Sequence, residues 1–131
     1  MDFRELERKM ETATLVTFSR LSQIPLISSV YTAWLKDEER CLYVGKSERQ
    51  KNRIRSHFSG QRGGDQFCLY VYDNFIHQLR PDGFNTAQVN EITAKWIQDK
   101  VSFKFVEVPE SEIGIFETYL RENWKPILNP L

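Results

Sequence analysis

Residues 30–35 (VYTAWL) and 41–45 (CLYVG) are two short runs of β-branched and aromatic side chains, separated by the five charged residues 36–40. Such runs favour a pleated backbone, and a polar turn of that length joins neighbouring antiparallel strands. The segment therefore reads as a hairpin, which commits the chain to a sheet. Residues 101–108 (VSFKFVEV) and 67–73 (FCLYVYD) have the same strand-like composition.

Helical periodicity fills much of the rest. Asp2 followed by Glu5 resembles a capping box ahead of Phe3, Leu6 and Met10. Ser47 with Gln50 predicts a second helix from near Glu48, with Ile54 and Phe58 as its apolar stripe and Gly60 to end it. Val89, Ile92, Trp96 and Ile97 predict a helix over 86–99, and a last one spans 111–124 before Pro126. Residues 12–29 are ambiguous, 60–65 read as a flexible loop, and Pro81-Asp82-Gly83 as a turn. The pattern is α+β, a largely antiparallel sheet with helices against it.

The 131 residues fit one domain. Long apolar runs are absent, so no membrane span is expected, and the N-terminus is too charged for a secretory signal. Cys41 and Cys68 sit in apolar runs without metal-ligand spacing, which reads as buried free thiols in a reducing, cytoplasmic setting. The formal net charge of zero argues at first against nucleic acid. That average hides a basic segment, however. Residues 46–62 carry Lys46, Arg49, Lys51, Arg53, Arg55 and Arg62 against Glu48 alone.

Three features resist a purely structural reading. Glu117 falls within the apolar stripe of Ile113, Phe116, Leu120 and Trp124, where a carboxylate needs a cation, hydrogen bonds or a metal. Alternatively, a slightly rotated helix brings it to the edge of that stripe. Arg53 and His57, spaced i, i+4, share a helix face, and their side chains suit a phosphate and a proton. Tyr31 and Tyr43 stand on successive strands, with Gly45 and Lys46 leading into a helix N-terminus that favours an anion. Taken singly, each has an ordinary structural alternative: a basic surface helix, or strand aromatics that only pack.

Together these residues resemble the GIY-YIG nuclease family. Ser29-Val30-Tyr31 stands where that family has Gly-Ile-Tyr, and Tyr43-Val44-Gly45, after an 11-residue gap, where it has Tyr-Ile-Gly. Lys46 follows, Arg53 matches the helical arginine, and His57 is similar to the histidine of the restriction-enzyme branch. Glu117 matches the metal-binding glutamate and Asn129, twelve residues on, the C-terminal asparagine. The site pattern is also similar to that of the N-terminal nuclease domain of bacterial excision-repair proteins. One departure is Ser29 in place of the first glycine, a change that bears on the hairpin's backbone more than on chemistry.

The resemblance implies a GIY-YIG-like α+β domain over residues 1–131. Its core would be 27–58 and 101–131, with an N-terminal extension 1–26 and an inserted strand–helix segment 59–100. It implies hydrolysis of DNA phosphodiesters with one Mg²⁺ or Mn²⁺ on Glu117 and Arg53 clamping the scissile phosphate. Tyr31 or Tyr43, helped by Lys46 and His57, would activate water, Tyr31 being the slight favourite, and Asn129 would brace the site. Lys46, Arg49, Lys51, Arg55 and Arg62 would attract the DNA backbone. Target recognition would then fall to 1–26, to 59–100, to a second copy of the chain or to a partner protein. The alternative is an inactive nucleic-acid-binding module of the same fold, which would have no use for Glu117.

Overall fold

The hairpin forms as the sequence predicts. In the computed structural model, which describes residues 2–24, 27–36, 38, 40–78 and 83–129 without the side chains of Gln50 and Lys51, β1 (Ser29–Leu35) and β2 (Cys41–Ser47) pair antiparallel. Tyr31 faces Gly45 and Ala33 faces Tyr43, with one irregularity in register beyond Ala33. β3 (Val101–Glu107) lies antiparallel on the other side of β1, giving the order β2-β1-β3. The central strand is buried from Ser29 through Ala33. Of the turn between β1 and β2, Asp37 and Glu39 lie outside the described residues, as do Pro81 and Asp82 of the later turn. Gly83 there has the positive φ of 93° that its role in a turn calls for.

Side chains alternate between the two faces of a strand, so β1 feeds two cores. Tyr31 and Ala33 join Phe103, Ile54, Phe58, Phe67, Val89 and Ile97 on one face. This face is covered by α2 (Gln50–Phe58), α3 (Gln66–Val71) and α4 (Thr86–Lys100). Val30 joins Val44, Val106, Met10, Phe116 and Leu120 on the other, under α1 (Phe3–Thr12) and α5 (Ile113–Trp124). Asp2 caps α1 by accepting from the Glu5 amide at 3.1 Å. Glu7 then ties α1 to α5, accepting from the Tyr119 hydroxyl and the Trp124 indole. Among the described residues no helix is long and apolar enough to cross a membrane, and both cysteines are buried and free.

Both outer edges of the sheet are partly covered. Val16 exchanges two backbone hydrogen bonds with Phe103 on the β3 side. On the β2 side the C-terminal tail pairs Leu128 with Leu42, and the Asn129 amide both accepts from Val44 N at 2.7 Å and donates to Val44 O at 2.9 Å.

Two sequence expectations fail. Residues 67–73 do not form a strand, so the sheet has three strands and the inserted segment is helix–helix. Gln66–Val71 is α3, continued by a π-helical turn over Tyr72–Ile76, and Cys68 is buried in a helix. Phe67, Cys68, Val71 and Tyr72 are the buried residues, at i, i+1, i+4 and i+5, which is one face of a helix. Asp65 starts that helix by accepting from the Cys68 amide, and this cap with one-sided burial outweighs the local strand propensity. Second, α2 begins at Gln50, not Glu48; Ser47 is the last residue of β2, and its hydroxyl accepts from the Arg49 amide in the connecting turn. The capping box expected from Ser47 and Gln50 does not form, because the N-cap is Arg49, which makes no side-chain cap. Of the two positions the sequence left open for Glu117, it takes the edge of the α5 stripe, 14% exposed, with an i, i+4 ion pair to Arg121 at 3.6 Å.

Candidate active site

Tyr31 projects from the central strand into the core beneath α2. Its hydroxyl lies 2.6 Å from His57 Nε2. The strand opposite must be bare at this point, because a Cβ added at Gly45 would overlap the Tyr31 hydroxyl. On α2, Ile54, His57 and Phe58 are buried while Arg53 is exposed, so one helix offers an imidazole to the sheet and a guanidinium to solvent. The imidazole is enclosed by the rings of Tyr31, Tyr43, Phe67 and Phe103, with centroids between 4.8 and 6.2 Å away.

The other face of His57 meets Asp65. Nδ1 is 2.7 Å from Asp65 Oδ2, both side chains being almost fully buried. Asp65 also accepts from the Ser56 hydroxyl at 2.6 Å and from the Cys68 amide at 3.0 Å. Burial tends to raise the Asp65 carboxyl, but the His57, Ser56 and Cys68 donors outweigh it and bring its pKa down to about 2. Burial pushes His57 below its usual range, against the raising effect of the Asp65 carboxylate. The pair is thus a carboxylate and a neutral imidazole. An ionised Asp65 only accepts, so the ring proton is on Nδ1, and Nε2 is left with a lone pair to accept from the Tyr31 hydroxyl. Protons run in one direction, from Tyr31 to His57 to Asp65.

Burial raises the Tyr31 phenol well above its ordinary value, helped by Tyr43 and opposed by Arg53. Tyr43 is half-buried, its ring centroid 6.3 Å from that of Tyr31. Burial and the Glu117 carboxylate push it up to about 12. Glu117 is itself raised by burial, with Lys46 and Arg121 pulling the other way. Tyr31, Tyr43, Arg53, Glu117 and Lys46 are therefore linked electrostatically in one place.

An open cleft of about 710 Å³ adjoins them, lined by Lys46 and Ser47 of β2, the turn 48–49, Asn52, Arg53 and Ser56 of α2, and Glu110, Ser111, Ile113 and Gly114 at the start of α5. Asn52, Arg53 and Ser56 follow i, i+1, i+4 on α2 and so share a helix face, with Arg49 just before the helix. The Lys46 ammonium lies close to Gly114, where an added Cβ would only make ordinary contact with it at 3.5 Å.

Of the residues singled out by sequence, Tyr31, Tyr43, Lys46, Arg53, His57 and Glu117 come together, and Arg49 joins Lys46 and Arg53 on the cleft wall. Asn129 contacts only the Val44 backbone among the described residues, next to Tyr43 and Gly45. Arg55 is exposed on another face of α2. Arg62 is away from the cleft: its guanidinium lies 4.4 Å over the Tyr72 ring and donates to Asn90 at 2.9 Å, pinning the 60–65 loop to α4. The Lys51 side chain lies outside the described residues. Asp65 was missed by sequence. Its spacing to Cys68 is that of a helix cap, a signal hidden once 67–73 is read as a strand.

No protein-family model and no curated protein matches the chain. It is similar in structure to the GIY-YIG N-terminal endonuclease domain of UvrC from Thermotoga maritima bound to magnesium, at 21% identity and TM-score 0.43, over 99% of this chain and 100% of that one. It is also similar to a mutant of EndoII from bacteriophage T4, at 14% identity and TM-score 0.47, over 99% of this chain and 100% of that one. At these identities and TM-scores the likeness assigns no role to any residue here.

Proposed function

We propose that the chain is a metal-dependent endonuclease of the GIY-YIG type that hydrolyses DNA phosphodiester bonds. The observation that carries this reading is the buried Tyr31–His57 hydrogen bond, set beside a cleft whose wall holds Arg53 and Lys46. A phenol bonded to a neutral imidazole is a route for a proton, and a guanidinium facing a cleft is a seat for a phosphate.

The metal reading is supported by the donor set. Among the described residues no three carboxylate, imidazole or thiolate groups gather into a cage. Glu117 offers one half-buried carboxylate, which suits a hard cation such as Mg²⁺ or Mn²⁺ that keeps most of its waters and takes further ligands from substrate phosphate. Held by Glu117, the cation would stabilise negative charge on the leaving 3′ oxygen.

The protein's own groups do the rest. Arg53 holds two oxygens of the scissile phosphate and offsets charge that develops there. Tyr31 takes a proton from the attacking water while its own passes to His57 Nε2. The water oxygen bonds to phosphorus, the P–O3′ bond breaks, and the leaving oxygen gains its proton from solvent. Moving both protons together avoids a free phenolate, which the burial of Tyr31 makes costly. Tyr43 orients the phosphate or the water, and Lys46 and Arg49 attract the backbone. Target choice would rest with residues 1–26 or 59–100, a second copy of the chain, or a partner protein.

The test is supercoiled plasmid incubated with the protein and Mg²⁺ or Mn²⁺, with EDTA as control. We expect nicking that EDTA abolishes, and Glu117→Gln to lose it while keeping its fold by circular dichroism. A Gln variant that nicks at the parent rate sinks the metal assignment. A parent that leaves the plasmid intact with either cation sinks the nuclease reading.

A further inference from the structure

We infer that Asp65 is a positioning residue for the reaction, holding His57 in the Nδ1–H tautomer so that Nε2 is open to the Tyr31 proton. The inference rests on the nuclease reading above. It starts from geometry: Asp65 Oδ2 meets His57 Nδ1 at 2.7 Å on the side of the ring opposite the 2.6 Å contact with Tyr31. The carboxylate is fixed by two further donors, the Ser56 hydroxyl and the Cys68 amide, so it can neither turn away nor donate.

The arrangement answers a specific chemical need. As Tyr31 gives up its proton, the imidazole becomes an imidazolium inside a cage of aromatic rings, where an uncompensated charge is expensive. The Asp65 carboxylate pairs with that charge as it forms. With the ring proton on Nε2 instead, His57 would donate to Tyr31 and the route would be closed. The structural part of Asp65, capping α3, uses Oδ1; the part aimed at His57 uses Oδ2. The two duties are on different atoms, so they can be separated by substitution.

Asp65→Asn makes the separation. The Cys68 N–H still needs an acceptor, so the Asn oxygen stays on the cap and its NH₂ turns to His57 Nδ1. That NH₂ donates, which forces the ring proton to Nε2. Asp65→Ser is the second variant; serine is also a good cap but offers His57 no carboxylate.

The protein has only two histidines, His57 and His77, so ¹⁵N-histidine labelling with a His77→Gln variant assigns the His57 ring nitrogens by NMR, independently of any cleavage. We expect the Nδ1–H tautomer in the parent and Nε2–H in Asp65→Asn. With a short labelled duplex, enzyme in excess and Mg²⁺, the single-turnover rate of Asp65→Asn should fall by roughly a hundredfold or more with DNA affinity unchanged. Its rate should then climb with pH beyond the point where the parent levels off, because hydroxide replaces the lost acceptor.

An Nε2–H tautomer in the parent overturns the inference, whichever variants fold. So does an Asn or Ser variant whose pH profile keeps the parent's shape, since a merely structural role would scale the rate evenly. A parent that cuts no DNA defeats the nuclease reading instead, and the tautomer measurement then decides the assignment of Asp65 alone.

Discussion

His57 must be neutral to take a proton, and its surroundings see to it. Burial lowers its pKa from the ordinary 6.5. The acid limb of the single-turnover pH profile should therefore lie below pH 6.5, and a limb centred at or above that value would contradict the proton route. Stability follows the same shift. Below about pH 6.5 the unfolded chain takes a proton on His57 that the folded chain refuses, so stability declines as pH falls toward the lowered value. Denaturant midpoints measured down from pH 7 should show this decline, and His57→Gln should remove it. Asp65 has the opposite chemistry but the same sign here: its contribution is complete above pH 3.8 and is lost between there and about 2.

At the level of elements, the hairpin is what sets the distance between Tyr31 and α2. Gly45 faces Tyr31 across the β1–β2 ladder, and its missing side chain is the space that the Tyr31 hydroxyl occupies. Gly45→Ala should push the phenol off His57. We expect a loss of about 1–3 kcal/mol in urea unfolding, typical of overpacking, and a larger proportional loss of cleavage. Unfolding and cleavage both at parent values would mean that Tyr31 has other room to move. The hairpin, β3, α1, α4 and α5 were legible because each carries a periodicity or a cap of its own. The stretch 67–73 was not, because a short apolar run fits a buried strand or a buried helix face equally well. Only the packing of Phe67 and Val71 under the sheet decides it, and with it went the chance to see Asp65 as a cap beside His57. Lys46 and Arg53, close in the chain, both stand on the cleft wall; for Arg62, membership of a basic run was no guide to position.

For the whole molecule the net charge is zero, while the cleft wall sets Lys46, Arg49 and Arg53 against Glu48 and Glu110. Affinity for duplex DNA should fall with salt, with a log–log slope of roughly −0.9 per phosphate neutralised. Arg49→Ala, on the cleft wall, should flatten that slope by about one such step. Arg62→Ala should leave it unchanged and lower the melting temperature instead, since its guanidinium is spent on Tyr72 and Asn90. Equal slope changes from the two variants would mean that the cleft does not mark the path of the DNA.

The sheet has two outer ladders, each partly occupied: Val16 bridges one at Phe103, and the tail with Asn129 runs along the other at Leu42 and Val44. One cover lies N-terminal to the hairpin; the other is the tail that carries Asn129, itself a residue of the motif. A protein trimmed of residues 2–24 and of the tail after α5 would keep Tyr31, Arg53, His57 and Glu117, lose Asn129, and expose further unpaired amides and carbonyls on β2 and β3, which invite other chains to add themselves as strands. Shortening the chain at either end would therefore favour pairing between copies of the sheet.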